Sequence, residues 1–380
     1  MKELLRESQR REAELVRLLA RFVRCESPSR VKAAVDRFGK IVAAEFRKRG
    51  AGIRFLRQRS RGDHLRAEMW VGKGRPAGQI LVLGHLDTVY PLGTLRRMPF
   101  RIAGGRAWGP GTFDMKGGIV LALAALDTLR AARIFPRKRF VFLWTTDEEI
   151  GSETSQRIIE QEARRSDAVL VLEPSLGPEG NLKTARKGVA SAEIIVTGRS
   201  AHAGVDPEKG VNAVEELALQ IARLRTLHQP RRGITVQATV VEGGTTVNVI
   251  PANARADLDL RLSRAAGERA VRKKLLALKP ILPGARVEVR LGSFRPPLGH
   301  TVAVRALFHQ AQTLAREIGI HLGEASTGGG SDGNFTAALG IPTLDGLGAV
   351  GDAPHSPRER VVIRKLPQRA ALLAGLLATL

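Results

Sequence analysis

Three apolar runs of strand length constrain this chain more than anything else in it: residues 79–84 (QILVLG), 139–144 (RFVFLW) and 168–172 (AVLVL). A strand that is apolar at consecutive rather than alternate positions is buried on both faces, and such strands belong to sheets that are mainly parallel and covered by helices. The run 117–129 (GGIVLALAALDTL) reads as a buried helix between the first two, a further strand is expected near 341–347, and a helix closes the chain. Residues 188–299 have another rhythm: strand 189–197, helix 211–227, strands 234–241 and 254–262, helix 265–278, strand 285–291. That β-α-β-β-α-β order is the ferredoxin-like unit, a complete small domain. The fold class is therefore α/β, with a mainly parallel sheet in a discontinuous domain (1–187 and 299–380) and an inserted ferredoxin-like α+β lid (188–298).

At 380 residues the chain is long enough for two domains. Residues 1–23 are charged throughout and lack an apolar core, so they read as one amphipathic helix rather than a signal peptide. The single cysteine, Cys25, excludes an intrachain disulfide and a cysteine-based zinc cage, and a cytoplasmic protein is expected. The net charge of +24 raises the question of a polyanionic partner. The arginines are dispersed, however, and aromatic residues are only 4%, too few for a base-stacking platform. Nucleic acid and membrane are not expected as partners; the charge fits an arginine-rich composition and an attraction for acidic substrates.

Ligands of open α/β sheets bind beyond the carboxyl ends of the strands. There this sequence places His85-Leu86-Asp87, then Thr145-Thr146-Asp147-Glu148-Glu149, then Glu173-Pro174, while Asp114 directly precedes the buried helix. Each piece has a plainer reading: a hydrogen-bonded His-x-Asp pair, a solvated Glu-Glu, an N-cap aspartate. Converging on one rim, they would be charged groups without partners. Histidine plus several carboxylates suits zinc.

The runs Gly84-His85-Leu86-Asp87-Thr88-Val89, Gly111-Thr112-Phe113-Asp114-Met115-Lys116-Gly117-Gly118 and Thr146-Asp147-Glu148-Glu149-Ile150-Gly151-Ser152 resemble one family. It is the di-zinc family of bacterial glutamate carboxypeptidase, aminoacylase, acetylornithine deacetylase and succinyl-diaminopimelate desuccinylase. The resemblance continues through Leu172-Glu173-Pro174, Ser200-Ala201-His202-Ala203-Gly204, Val247-Asn248-Val249-Ile250-Pro251 and Ala353-Pro354-His355-Ser356, covering essentially the whole chain. It implies two zinc ions per subunit, with cobalt as a possible substitute, bridged by Asp114. His85 and Glu173 would complete one site, Glu149 and His355 the other. It further implies Glu148 as general base, Asp87 as the partner that fixes His85, His202 as the group that steadies the oxyanion, and a cis Asp114–Met115 peptide bond. Asn248 and Arg261 would meet the substrate's free carboxylate, and a homodimer formed through the lid would deliver His202 of one subunit to the active site of the other.

Within the family, Asp114-Met115-Lys116-Gly117-Gly118, Gly328-Gly329-Gly330-Ser331-Asp332-Gly333 and Arg295-Pro296-Pro297 resemble the glutamate carboxypeptidase branch. Arg295 and the Gly328, Gly329 and Gly330 turn are substrate-site candidates, the turn as a nest of backbone N–H groups for an anion. Lys183 is the candidate partner for a second, side-chain carboxylate. The expected activity is zinc-dependent cleavage of an amide beside a free carboxylate, in a small peptide or N-acyl amino acid. An N-acyl-amino-acid amidohydrolase or dipeptidase is the alternative. A basic binding protein that has lost its chemistry is the alternative outside this class; the intact set His85, Asp114, Glu148, Glu149, Glu173 and His355 argues against it.

Overall fold

The computed structural model describes residues 1–72 and 74–380. The chain forms two compact units, one of Met1–Ala185, Leu298–Thr327 and Ser331–Leu380, the other of Arg186–Pro297 with Gly328–Gly330.

The first unit is built on a six-stranded sheet ordered Gly52–Leu56, His64–Met69, Arg139–Thr145, Gln79–His85, Ala168–Val171, Thr343–Leu344. The last four strands pair in parallel; the first two form an antiparallel edge. The central strands are apolar at every position because they serve two cores. Ile80, Val82, Phe140, Phe142 and Trp144 pack on one face of the sheet, whereas Leu81, Leu83, Val141 and Leu143 pack on the other. The first core takes the helix Gly117–Ala131, the C-terminal helix Leu366–Thr379 and the N-terminal helices. Residues 1–23 form not one helix but two, Lys2–Arg10 and Glu12–Val23, because Arg11 leaves helical geometry with φ −101° and ψ 3°. Among the described residues, no helix is long and apolar enough to cross a membrane.

The second unit is a four-stranded sheet ordered Ile234–Gly243, Asn253–Leu262, Gly188–Thr197, Arg286–Arg295, with every neighbouring pair antiparallel. Helices Ala213–Leu224 and Ala265–Leu276 supply Leu217, Leu224, Val271 and Leu275 to a core shared with alternate strand residues such as Ile194, Val196, Leu258 and Leu260. Asn212 caps the first helix, its side-chain oxygen accepting from the Val214 and Glu215 N–H groups. The sheet's other face is charged: Arg255 pairs with Glu242 and Glu193, and Arg261 with Asp259.

Candidate metal centre

The strand Gln79–His85 ends by delivering His85 into a fully buried position. Its Nδ1 lies 2.9 Å from the Asp87 carbonyl oxygen and 3.4 Å from the Asp87 carboxylate, so Nδ1–H is the donor and Nε2 is the nitrogen turned toward Asp114 and Glu173. Asp87, itself buried, also receives the backbone N–H groups of Glu148 and Glu149 at 3.4 and 3.3 Å. One carboxylate thus fixes the imidazole and the turn carrying both glutamates. That turn follows the strand Arg139–Thr145, and the Asp147 carboxylate ties its far end by accepting from the Thr154 N–H and hydroxyl at 2.7 Å each.

Asp114 lies between the strand system and the helix Gly117–Ala131, and its peptide bond to Met115 is cis. Glu173 follows the strand Ala168–Val171 where the backbone is crowded. A side chain at Gly118 or Gly348 would place Cβ 2.3 Å from the Leu172 carbonyl oxygen, so only glycine allows this approach. His355 sits in a turn between Gly351–Asp352 and Arg360–Val362, with φ +59°.

The distances among these side chains form a pattern. Asp114 Oδ1 is 3.2 Å from His85 Nε2, which is 3.4 Å from Glu173 Oε1. Asp114 Oδ2 is 3.3 Å from His355 Nε2, which is 3.1 Å from Glu149 Oε2. Four ligands at about 2.0–2.1 Å from a tetrahedral ion are separated by roughly 3.3 Å. The two oxygens of Asp114 therefore each face a separate histidine–glutamate pair at ligand spacing. An Nε2–H could serve only one acceptor well, whereas each Nε2 lies nearly equidistant from two carboxylates; a cation between them satisfies all three groups. The donor set fits two metal ions with Asp114 between. Glu148, 8% exposed, also has a carboxylate oxygen within 4.8 Å of donor atoms of His85 and Glu173.

Without metal the cluster holds protons. Hydrogen bonds to Asp114 and Glu149 push the His355 pKa up to about 11. Burial works against a charged His85, but Asp114, Asp87 and Glu173 outweigh it and raise its pKa well above the usual value. Burial lifts Glu149 to about 7 despite its bond to His355, while for Asp114 the two histidines overcome burial and hold the carboxyl well below the ordinary range.

The second unit carries the remaining candidates apart from Lys183. His202 lies on a two-residue strand paired with Val249–Ile250, and its Nδ1 accepts from the Gly204 and Val205 N–H groups at 3.1 Å each. That fixes the tautomer with the proton on Nε2, an exposed donor. Asn248 adjoins it, accepting from the Ala203 N–H at 2.9 Å. Arg261 and Arg295 both stand directly opposite Val189, so all three project from one face of the sheet.

The turn Gly328–Gly330 offers carbonyls to arginines: Arg261 Nη1 donates to Gly328, and Arg186 Nη1 to Gly329 and Gly330. The nearby Ser331 and Gly333 N–H groups are taken by the Asn334 and Ser331 side chains. Arg261 is not an open fork, because its Nε and Nη2 hold Asp259 at 2.9 and 2.8 Å. Lys183 is buried at 7% exposure on the strand Leu182–Arg186. Sequence reasoning missed Tyr90 and Glu359. Glu359 Oε1 accepts from the Phe113 and Asp114 N–H groups, and the Tyr90 hydroxyl meets Glu359 Oε2 and the Ser356 carbonyl. No spacing signals a contact across 269 residues.

Residues 81–379 match peptidase family M20/M25/M40. Carboxypeptidase G2 of Pseudomonas sp. (strain RS-16) is 32% identical over 374 residues, covering 96% of this chain and 89% of that protein. Among solved structures, aminopeptidase PepT from Bacillus cereus superposes with a TM-score of 0.82 at 24% identity, covering 97% of this chain and 98% of its own. YXEP from Bacillus subtilis, described as a dinuclear metal binding peptidase, does so at 0.71 with 16% identity, covering 97% and 98%.

Proposed function

Because the chain belongs to peptidase family M20/M25/M40 and is a metallohydrolase, we propose that it is a two-zinc exopeptidase of glutamate carboxypeptidase type, cleaving an amide beside a free carboxylate. The observation that carries this reading is the division of Asp114, one oxygen toward His85 and Glu173, the other toward His355 and Glu149. Two divalent ions held there would acidify a water molecule and polarise the scissile carbonyl. Glu148 takes the proton from the attacking water and passes it to the leaving nitrogen as the C–N bond breaks. Asp87 keeps His85 and the glutamate turn in register, and the His202 Nε2–H donates to the oxyanion.

The substrate carboxylate is assigned to Arg261, Arg295 and the Gly328–Gly330 turn, with Asn248 contributing. The pairing register bears on how many subunits this takes. Arg261 stands opposite Val189 at one end of the strand Gly188–Thr197, and Asn253 opposite Thr197 at the other, eight residues away. At ~3.3 Å per residue that is on the order of 26 Å, and His202 and Asn248 lie beyond the Thr197 end. One small substrate cannot touch both ends of the same sheet. The proposal therefore includes a homodimer through this unit, in which the partner's copy supplies the histidine and asparagine. The outer edge of Ile234–Gly243, with Val240 and Val241 exposed, and the exposed Val205 and Val247 beside His202 and Asn248 suit such a contact.

The burial of Lys183 favours a second reading, an N-acyl-amino-acid amidohydrolase indifferent to a side-chain carboxylate. Assaying the zinc-loaded protein on N-acyl-glutamate, N-acyl amino acids with neutral side chains, their amides, and free dipeptides separates these. The carboxypeptidase reading requires fastest turnover of the glutamate compound and none of its α-amide. Equal rates on neutral side chains select the amidohydrolase, and preference for a free amino terminus refutes both.

A further inference from the structure

Of the five proposed metal-binding residues, His85 ends a central strand, Glu173 follows one where glycines pack closely, and Glu149 and Asp114 have their N–H groups held by the buried carboxylates of Asp87 and Glu359. The fifth is His355. It is about half exposed and lies in a turn where Ala353 and His355 both have left-handed φ, +57° and +59°. Within the turn, Ser356 Oγ donates to the Ala353 carbonyl, and Ser356 Oγ and carbonyl accept from the Arg358 and Glu359 N–H groups. Apart from the contacts of His355 itself, among the described residues one hydrogen bond reaches residues 353–358 from outside residues 352–360: the Tyr90 hydroxyl to the Ser356 carbonyl, 3.0 Å.

The same hydroxyl lies 2.5 Å from Glu359 Oε2. Glu359 is fully buried, and its other oxygen accepts from the Phe113 N–H at 2.8 Å and the Asp114 N–H at 3.0 Å. Two backbone donors and one phenol, whose single proton is shared between Glu359 Oε2 and the Ser356 carbonyl, thus serve a carboxylate that no lysine or arginine contacts among the described residues. Burial and the neighbouring Glu359 charge keep the Tyr90 phenol protonated, as a donor must be. The result is a continuous path from the Asp114 N–H, through Glu359 and Tyr90, to the carbonyl of Ser356, the residue after His355.

We infer that Tyr90 and Glu359 are positioning residues that brace His355 against Asp114 and so set the affinity of the metal site formed by Asp114, Glu149 and His355, leaving the site of His85 and Glu173 nearly unaffected. The inference rests on the two-metal reading above. Its physical content is distance control. Among the described residues the other hydrogen bonds of the turn, apart from those of His355 itself, stay within residues 352–360, so losing the phenol lets the His355 Nε2 drift from Asp114 Oδ2. His85 keeps its place through Asp87 and the sheet. Indirect partners of metal ligands typically govern 10–100-fold of affinity.

The test is zinc binding to full-length apo protein, measured by competition with a chromophoric chelator, for wild type, Tyr90→Phe and Glu359→Gln. Wild type should bind two ions in resolvable steps. Tyr90→Phe should weaken one step by 10–100-fold and leave the other within threefold; Glu359→Gln should weaken that step at least as much, with a smaller loss at the other because Glu359 also holds the Asp114 N–H. If one variant fails to fold, the other still gives the reading. Two unchanged steps in a folded variant overturn the inference while the two-metal reading stands. Equal weakening of both steps also overturns it, since general loosening of the fold does that. Fewer than two ions on wild type sinks both the inference and the reading beneath it.

Discussion

Replacing Glu148 by glutamine removes the proposed base while leaving the shape of its side chain. The backbone should stay in place, because the N–H groups of residues 148 and 149 are both held by the Asp87 carboxylate. Among the described residues the neighbouring carboxylates are already engaged: Glu149 faces His355 at 3.1 Å, Glu173 faces His85 at 3.4 Å, and Asp114 is shared. The loss should therefore lie toward the upper end of what removing a general base costs, about a thousand- to ten-thousand-fold in kcat, or about 4–5 kcal/mol of transition-state stabilisation. The assay is steady-state hydrolysis of an N-acyl amino acid by metal-loaded protein, with metal counted per chain in the same sample. Two metals per chain, little change in KM and a thousandfold fall in kcat are expected. A fall of less than tenfold with full metal content refutes the assignment. Loss of metal refutes it differently: Glu148 is close enough to His85 and Glu173 to act as a ligand, and would then be one.

Arg261→Ala should cost more on substrates with a free α-carboxylate than on their amides. Because Asp259 shares the guanidinium, the difference is expected near the low end of about 2–5 kcal/mol; equal losses on both make Arg261 structural. Mixing His202→Ala with Glu148→Gln under subunit exchange should restore activity, since some sites in mixed dimers then hold both residues; confirmed exchange without activity contradicts the shared site. Metal uptake should release protons at pH 7, because Asp114 and Glu149 hold His355 protonated up to about 11 and the imidazole must lose that proton to bind. Apparent affinity should then rise with pH between 6 and 9, and calorimetry showing no proton release there would contradict this.

The parallel strands and their terminal residues were legible because burial on both faces writes consecutive apolar residues, and the family motifs begin where those runs end. The antiparallel edge was not: Gly52–Leu56 is only partly buried and carries no clear alternation. The break at Arg11 involves neither glycine nor proline, so nothing local announces it. Residue types at the metal centre were readable, but the engagement of Arg261 with Asp259 depends on their sharing one face of a strand, two residues apart. The alignment of Arg261 with Arg295 required the cross-strand register through Val189. Tyr90 and Glu359 are joined only by folding. The second unit's strand order, Ile234–Gly243, Asn253–Leu262, Gly188–Thr197, Arg286–Arg295, is the ferredoxin-like order expected from its element sequence.

The central claim, a two-metal centre divided by Asp114, is tested most directly by anomalous scattering from crystals of the zinc-loaded protein. The account predicts two peaks roughly 3.5–4 Å apart, one among His85, Glu173 and an Asp114 oxygen, the other among His355, Glu149 and the second Asp114 oxygen. A single peak at full zinc loading, or a pair in which Asp114 contacts only one ion, would contradict it.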